Sequence, residues 1–157
     1  VDKIPLPYYR AKLEAEQLLQ QSGVPYTILR ATQFHPFLDA IMGLLLKWPV
    51  GLVPKKFKVQ PISIESVVQE LINIGEMEPQ HKVLNIGGPE VLDFGEVAKL
   101  WQEYHDISKP VINIPVIGKL MKTVANGGLL CDEKASDSIT WEAYLQEKHL
   151  VKSPELL

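Results

Sequence analysis

Short strand-forming runs recur between helix-forming stretches, and this alternation constrains the fold more than any other feature of the chain. Tyr26-Thr27-Ile28-Leu29, Val59-Gln60-Pro61-Ile62, Val83-Leu84-Asn85-Ile86 and Val111-Ile112-Asn113-Ile114 are rich in β-branched and aromatic residues, with Pro or Gly inside or beside each. Strands that alternate with helices predict an α/β fold with a partly parallel sheet.

The helical stretches carry their own start and stop signals. Residues 8–22 are strong helix formers and stop at Gly23 and Pro25, so a helix leads directly into the 26–29 strand. The loop Ala31 to Pro36 follows, then an apolar helix over Phe37 to Lys47, and then a Pro- and Lys-rich connection to Lys58 that is expected to be exposed. Ser63 is placed to cap a helix whose Ile64, Val67, Val68, Leu71 and Ile74 repeat at helical spacing. Asp93 with Glu96 reads as a capping box for a helix over Phe94 to His105. Helices over Ile117 to Ala125 and Trp141 to Lys148, the second capped by Thr140, complete the pattern.

Composition narrows the function classes. Forty-six per cent of the 157 residues are apolar and 22% charged, the balance of one folded globular unit. The net charge is −3, and no basic run exceeds Lys55-Lys56, which argues against nucleic acid or an anionic membrane as partner. The longest apolar run, Leu38 to Leu46, is broken by Asp39 and Gly43 and falls well short of the roughly 20 residues that span a bilayer. Cys131 is the single cysteine, and the four histidines have no metal-ligand spacing, so a reducing, cytoplasmic setting without structural zinc is expected.

Two places carry chemistry. Tyr8 and Lys12 are four residues apart and share one helix face. A cation beside a phenol favours the phenolate and brings its proton nearer to a working range for transfer to a carbonyl oxygen, and the same ammonium suits ribose hydroxyls. By itself this spacing also arises by chance. The loop 31–35 follows a strand, where open α/β sheets bind ligands, which makes Gln33, Phe34 and His35 contact candidates. The plainer alternative has Phe34 and Phe37 as core anchors and His35 as a solvated loop histidine. Gly87-Gly88-Pro89 reads as a tight turn, since no G-x-G-x-x-G or Walker-type spacing occurs. Glu14 and Glu16 read as solvated surface.

As strings, Tyr8-Tyr9-Arg10-Ala11-Lys12-Leu13-Glu14-Ala15-Glu16 and Ser22-Gly23-Val24-Pro25-Tyr26-Thr27-Ile28-Leu29-Arg30 resemble the second half of atypical short-chain dehydrogenase/reductases of the NmrA-like NAD(P)H-binding group. Gln60-Pro61-Ile62-Ser63, Asn85-Ile86-Gly87-Gly88-Pro89-Glu90 and Thr140-Trp141-Glu142-Ala143-Tyr144-Leu145 look like later landmarks of the same group. The resemblance implies the C-terminal part of a Rossmann-like, extended short-chain dehydrogenase fold. Residues 1–58 would supply its last helix–strand crossover and the following helix, and 59–157 a small mixed α/β substrate-side region. It also implies that Tyr8 is the proton donor, that Lys12 holds the nicotinamide ribose, and that Thr32, Gln33 and Phe34 lie against the cofactor, with Phe34 and His35 toward substrate.

The Gly-rich strand–turn–helix that opens this fold is absent from the sequence. The chain is therefore expected to be the C-terminal half of a protein roughly twice as long, binding NAD(P)H weakly or not at all by itself and self-associating through uncovered strand edges. The expected activity is NAD(P)H-dependent reduction of a small carbonyl or quinone-like substrate. The alternatives are a non-catalytic NAD(P)-binding redox sensor working through a protein partner and a free-standing interaction domain, which leaves the Tyr8/Lys12 placement unexplained.

Overall fold

The computed structural model of the chain describes residues 7–135 and 139–152. The elements run α1 (Pro7–Gln21), β1 (Thr27–Ala31), α2 (His35–Leu45), β2 (Gly51–Val53), β3 (Lys58–Val59), α3 (Ile64–Gly75), β4 (Lys82–Ile86), β5 (Leu92–Asp93), α4 (Phe94–Tyr104), β6 (Val111–Asn113), α5 (Gly118–Ala125) and α6 (Trp141–Lys152). The expected α/β alternation is present. β1 pairs in parallel with β4, with Thr27 opposite Lys82 and Ala31 opposite Ile86, and β2 pairs in parallel with β6. The short β3 and β5 pair antiparallel.

Local signals set the ends of several elements. Gly23 ends the first helical segment at φ 74°, a left-handed conformation that glycine adopts without steric cost. The Ser63 side chain accepts from the Ser66 backbone N–H at 3.0 Å. Asp93 and Glu96 exchange both bonds of the capping box, at 2.9 and 2.8 Å. Thr140 caps α6 by accepting from the Ala143 backbone N–H at 3.1 Å.

The main core lies where three helices meet. Leu38, Met42 and Leu46 from α2 and its end, Val97, Ala98 and Trp101 from α4, and Trp141 and Leu145 from α6 are all buried in one cluster. These positions repeat every three or four residues, so each helix turns one stripe inward. Asp39 lies on the same stripe of α2 and is buried as a charge. Its carboxylate accepts from Trp101 Nε1 at 2.7 Å and Tyr144 Oη at 3.1 Å, and pairs with the Lys148 ammonium. Burial works against the Asp39 charge, yet the three donors outweigh it and hold the carboxyl below its ordinary range. The same arrangement, burial first and then the Asp39 charge, pushes the Tyr144 hydroxyl up.

Three expectations are corrected. The 48–58 connection is not a free surface loop: its middle forms β2, whose Gly51 and Val53 are buried, because β6 arrives from far along the chain to pair with it. Gly87 and Gly88 are not required by a left-handed turn, since neither has a positive φ. A Cβ on Gly88 would collide with the Pro61 carbonyl, and one on Gly87 with the Gln60 amide, so these glycines permit close approach of two backbones. His35 is not a solvated loop histidine. It opens α2, is 1% exposed, and stacks on Tyr144 with ring centroids 5.0 Å apart.

Two predictions follow from this packing. Gly88→Ala should lower stability by several kcal/mol, on the order of 3 or more, because backbone must move to admit the methyl group; urea denaturation measures it, and a change below about 1 kcal/mol would contradict the close-approach reading. Burial lowers the pKa of His35 to about 4, with the Glu65 charge opposing weakly. Between the unfolded value of about 6.5 and the folded one, the unfolded chain binds more protons than the native chain. The stability that a neutral His35 contributes is thus complete above pH ~6.5 and lost as pH falls toward about 4, amounting to as much as ~3 kcal/mol. His35→Phe should flatten the stability profile in that window, and an identical slope in both proteins would refute the assignment.

Candidate functional site

α1 carries the first pair of chemical residues. Its arc Tyr8, Lys12, Glu16 falls on one helix face at i, i+4 and i+8. The Lys12 ammonium stands 5.1 Å from the centre of the Tyr8 ring, and Tyr9 meets Tyr8 edge-on at 5.4 Å. Burial, and then the charge of Tyr8, push the Tyr9 hydroxyl up, against a smaller opposite effect of Lys12. Tyr9 is therefore a weaker acid than an ordinary tyrosine; Tyr8 stands 63% exposed at the cleft.

The α1 helix has no buried residue. It is fastened to β1 by Glu16, which takes Arg30 in a forked pair: Nε to Oε1 at 3.0 Å and Nη2 to Oε2 at 2.5 Å. Such a bidentate pair fixes direction as well as distance. It brings the Tyr8/Lys12 face over the carboxyl end of β1, where a cleft of about 580 Å³ is lined by Tyr8, Tyr9, Lys12, Thr32, Gln33 and Phe34, with Phe37 beside them.

Five of the six candidate residues named from the sequence, Tyr8, Lys12, Thr32, Gln33 and Phe34, line this one cleft. His35 does not. It lies across the start of α2, lining a separate cavity with Ser63, Glu65 and Tyr144. The reading of Phe34 and Phe37 as core anchors is also reversed, since they are 37% and 59% exposed. The reason is helical geometry: α2 begins two residues earlier than expected, so His35, Leu38, Asp39 and Met42 share the inward stripe and Phe37 turns outward.

Thr32 and Gln33 reach the cleft with their polar atoms already engaged. The Thr32 hydroxyl donates to the Gln60 carbonyl at 2.5 Å and accepts from the Gly88 N–H at 3.3 Å. Gln33 accepts from the Gln60 N–H at 3.1 Å and donates to the Leu129 carbonyl at 3.0 Å. Their side chains shape the cleft floor; the groups available to a ligand are Tyr8, Lys12 and the aromatic rings. Glu16, Arg30 and Phe37 were missed by sequence reasoning. Glu16 could have been found, because it continues the Tyr8/Lys12 face by one more turn; its partner Arg30 is fourteen residues away and leaves no local trace.

The Cys131 thiol, half-buried, donates to the Glu133 carbonyl at 3.0 Å, and burial followed by the Glu133 and Asp132 charges pushes its pKa up. It is not an activated nucleophile. Among the described residues no group of three or more His, Cys, Asp or Glu side chains could hold a metal, and no helix is long and apolar enough to cross a membrane.

No family model and no curated protein matches the chain. Solved structures do. A dTDP-glucose 4,6-dehydratase from Bacillus anthracis, in complex with NAD, matches with a TM-score of 0.66 at 15% identity over 96% of this chain and 53% of its own. A UDP-glucuronic acid 4-epimerase from Bacillus cereus, with UDP-glucuronic acid and NAD, matches with a TM-score of 0.64 at 16% identity, covering 94% of this chain and 54% of that one. A nucleoside-diphosphate-sugar epimerase from Staphylococcus aureus matches with a TM-score of 0.61 at 18% identity, over 85% and 56%. The chain thus spans about half the length of these structures. What it shares with them is the fold: a mixed α/β, Rossmann-like arrangement with parallel strands.

Proposed function

We propose that this chain supplies the proton-handling and ribose-side part of an NAD(P)H-dependent oxidoreductase of the atypical short-chain dehydrogenase/reductase, NmrA-like type, acting on a small carbonyl or quinone-like substrate. The observation that carries the reading is the meeting of Tyr8, Lys12 and the Thr32–Phe34 loop in one cleft. The solved structures of similar fold that contain NAD or NADPH support a nicotinamide dinucleotide as the cofactor.

The residues present suit the nicotinamide–ribose end of such a cofactor. The cleft holds about 580 Å³, Lys12 offers three N–H donors for ribose hydroxyls, and Phe34 offers a flat apolar wall. No Gly-rich turn of the kind that holds a pyrophosphate occurs in the sequence. When bound, the dinucleotide supplies a hydride. Tyr8 then gives its proton to the oxygen that gains negative charge. Lys12, over the Tyr8 ring, places a positive charge on the side of the cleft where that proton is given up. Glu16 and Arg30 keep α1 seated on β1 during the exchange. The exposed rings of Phe34 and Phe37 give one side of the cleft an apolar wall that suits a flat carbonyl compound.

The chain by itself is proposed to self-associate. Among the described residues β1 pairs on one side only, and α3 turns Ile64, Val68, Leu71 and Ile72 to solvent. Light scattering over a concentration series should give a mass that rises with concentration; a constant 17.7 kDa monomer would contradict it.

The activity is tested on the natural protein with NADPH and a panel of quinones and small carbonyls. Tyr8→Phe should lower turnover about 100-fold or more with little change in cofactor affinity, since it removes a proton donor and no binding contact of comparable strength. Lys12→Met should weaken cofactor binding as well as turnover. Full-rate reduction by Tyr8→Phe would end the assignment, and cofactor binding without turnover of any panel member would favour a redox sensor in its place.

A further inference from the structure

The Tyr8 cleft leaves unused the second cavity, about 330 Å³, on the opposite side of the α2 start. His35 lines it as a fully buried imidazole, and neither ring nitrogen has a hydrogen-bond partner among the described residues. A buried polar group without a partner is costly, on the order of 1–3 kcal/mol, and such groups in native structures usually mark a missing partner. The other polar side chains divide into two sets. Tyr144 and Lys148 are committed to Asp39, and Ser63 to Ser66 at the start of α3. Glu65 and Glu147, both exposed at the mouth, enter no hydrogen bond or ion pair among the described residues. Pro36, Ile64 and Ile139 provide apolar walls.

These groups define what would fit. An anion meets two uncompensated carboxylates. A neutral hydroxyl compound can satisfy the imidazole and gains no Coulomb attraction. An organic ammonium gains both, because its N–H groups donate to a neutral imidazole nitrogen and to carboxylate oxygens. We propose that this cavity binds a small primary ammonium carried on an apolar body, with N–H donors to a His35 ring nitrogen and to Glu65 and Glu147. The lowered pKa of His35 agrees with this, since a neutral ring keeps one nitrogen free to accept. The site is separate from the Tyr8 cleft and does not depend on the proposed oxidoreductase activity.

The test is a titration of the natural protein, histidine-selectively labelled for nitrogen NMR, with ethylammonium, glycerol and acetate as probes. His35→Phe identifies the His35 ring signal by its disappearance. Ethylammonium should shift that signal saturably, acetate should not, and glycerol should act more weakly. The exposed double variant Glu65→Gln/Glu147→Gln, which leaves the core untouched, should weaken ethylammonium binding about tenfold. The proposal is overturned if ethylammonium gives no saturable shift, if glycerol or acetate binds as well, or if the double variant binds ethylammonium unchanged.

Discussion

Gln60 holds the cleft end of this molecule together. Its side chain is fully buried, and every polar group it owns is used: the amide N–H₂ donates to the Gly88 carbonyl at 3.0 Å, the amide oxygen accepts from the Cys131 N–H at 3.0 Å, and its own backbone N–H and carbonyl meet Gln33 and Thr32. One residue therefore ties the loop after β1 to the end of β4 and to the 131 segment. In a low-dielectric interior such a network is stabilising only when complete, because any member left alone keeps its desolvation cost. This explains the two glycines at 87 and 88, where side chains would occupy the space that the Gln60 amide and the Pro61 carbonyl require.

What was legible in the sequence was local. Ser63, Thr140 and the Asp93/Glu96 pair announce helix starts because a cap is satisfied within three residues. The Tyr8/Lys12 face was legible because it depends only on the pitch of one helix. What was not legible depends on residues distant in sequence. The three-residue β2 has no strand signature and exists through its pairing with β6, some sixty residues later. The Glu16–Arg30 pair joins two elements whose contact no periodicity encodes. Gln60 was legible as part of an extended stretch and of a landmark string, but its burial and four simultaneous bonds depend on partners distant in sequence.

The start of α2 shows how small an error inverts a functional reading. Expected at Phe37 and found at His35, the helix begins with Pro36 in its first turn, where the missing N–H costs nothing. That placement turns the side chains of 35, 38, 39 and 42 inward together. It converts a loop histidine into a buried ring against Tyr144 and two expected core phenylalanines into exposed walls of a cleft. The inward position of Asp39 then requires donors. Trp101 and Tyr144 supply them from α4 and α6, and Lys148 compensates the charge.

The two sides of the α2 start thus divide the polar chemistry between them. On the cleft side, Thr32 and Gln33 give their hydrogen bonds to the Gln60 network, so the surface offered there is a phenol, an ammonium and exposed phenyl rings. With Arg30 held by Glu16, Lys12 is the cation of that wall best placed to serve Tyr8. On the proposed reading, chemistry in the cleft rests on one acid and one positioned charge beside an apolar wall, a set suited to proton delivery onto a developing alkoxide. Its geometry is fixed at both ends, by an ion pair under α1 and by a buried amide under the loop.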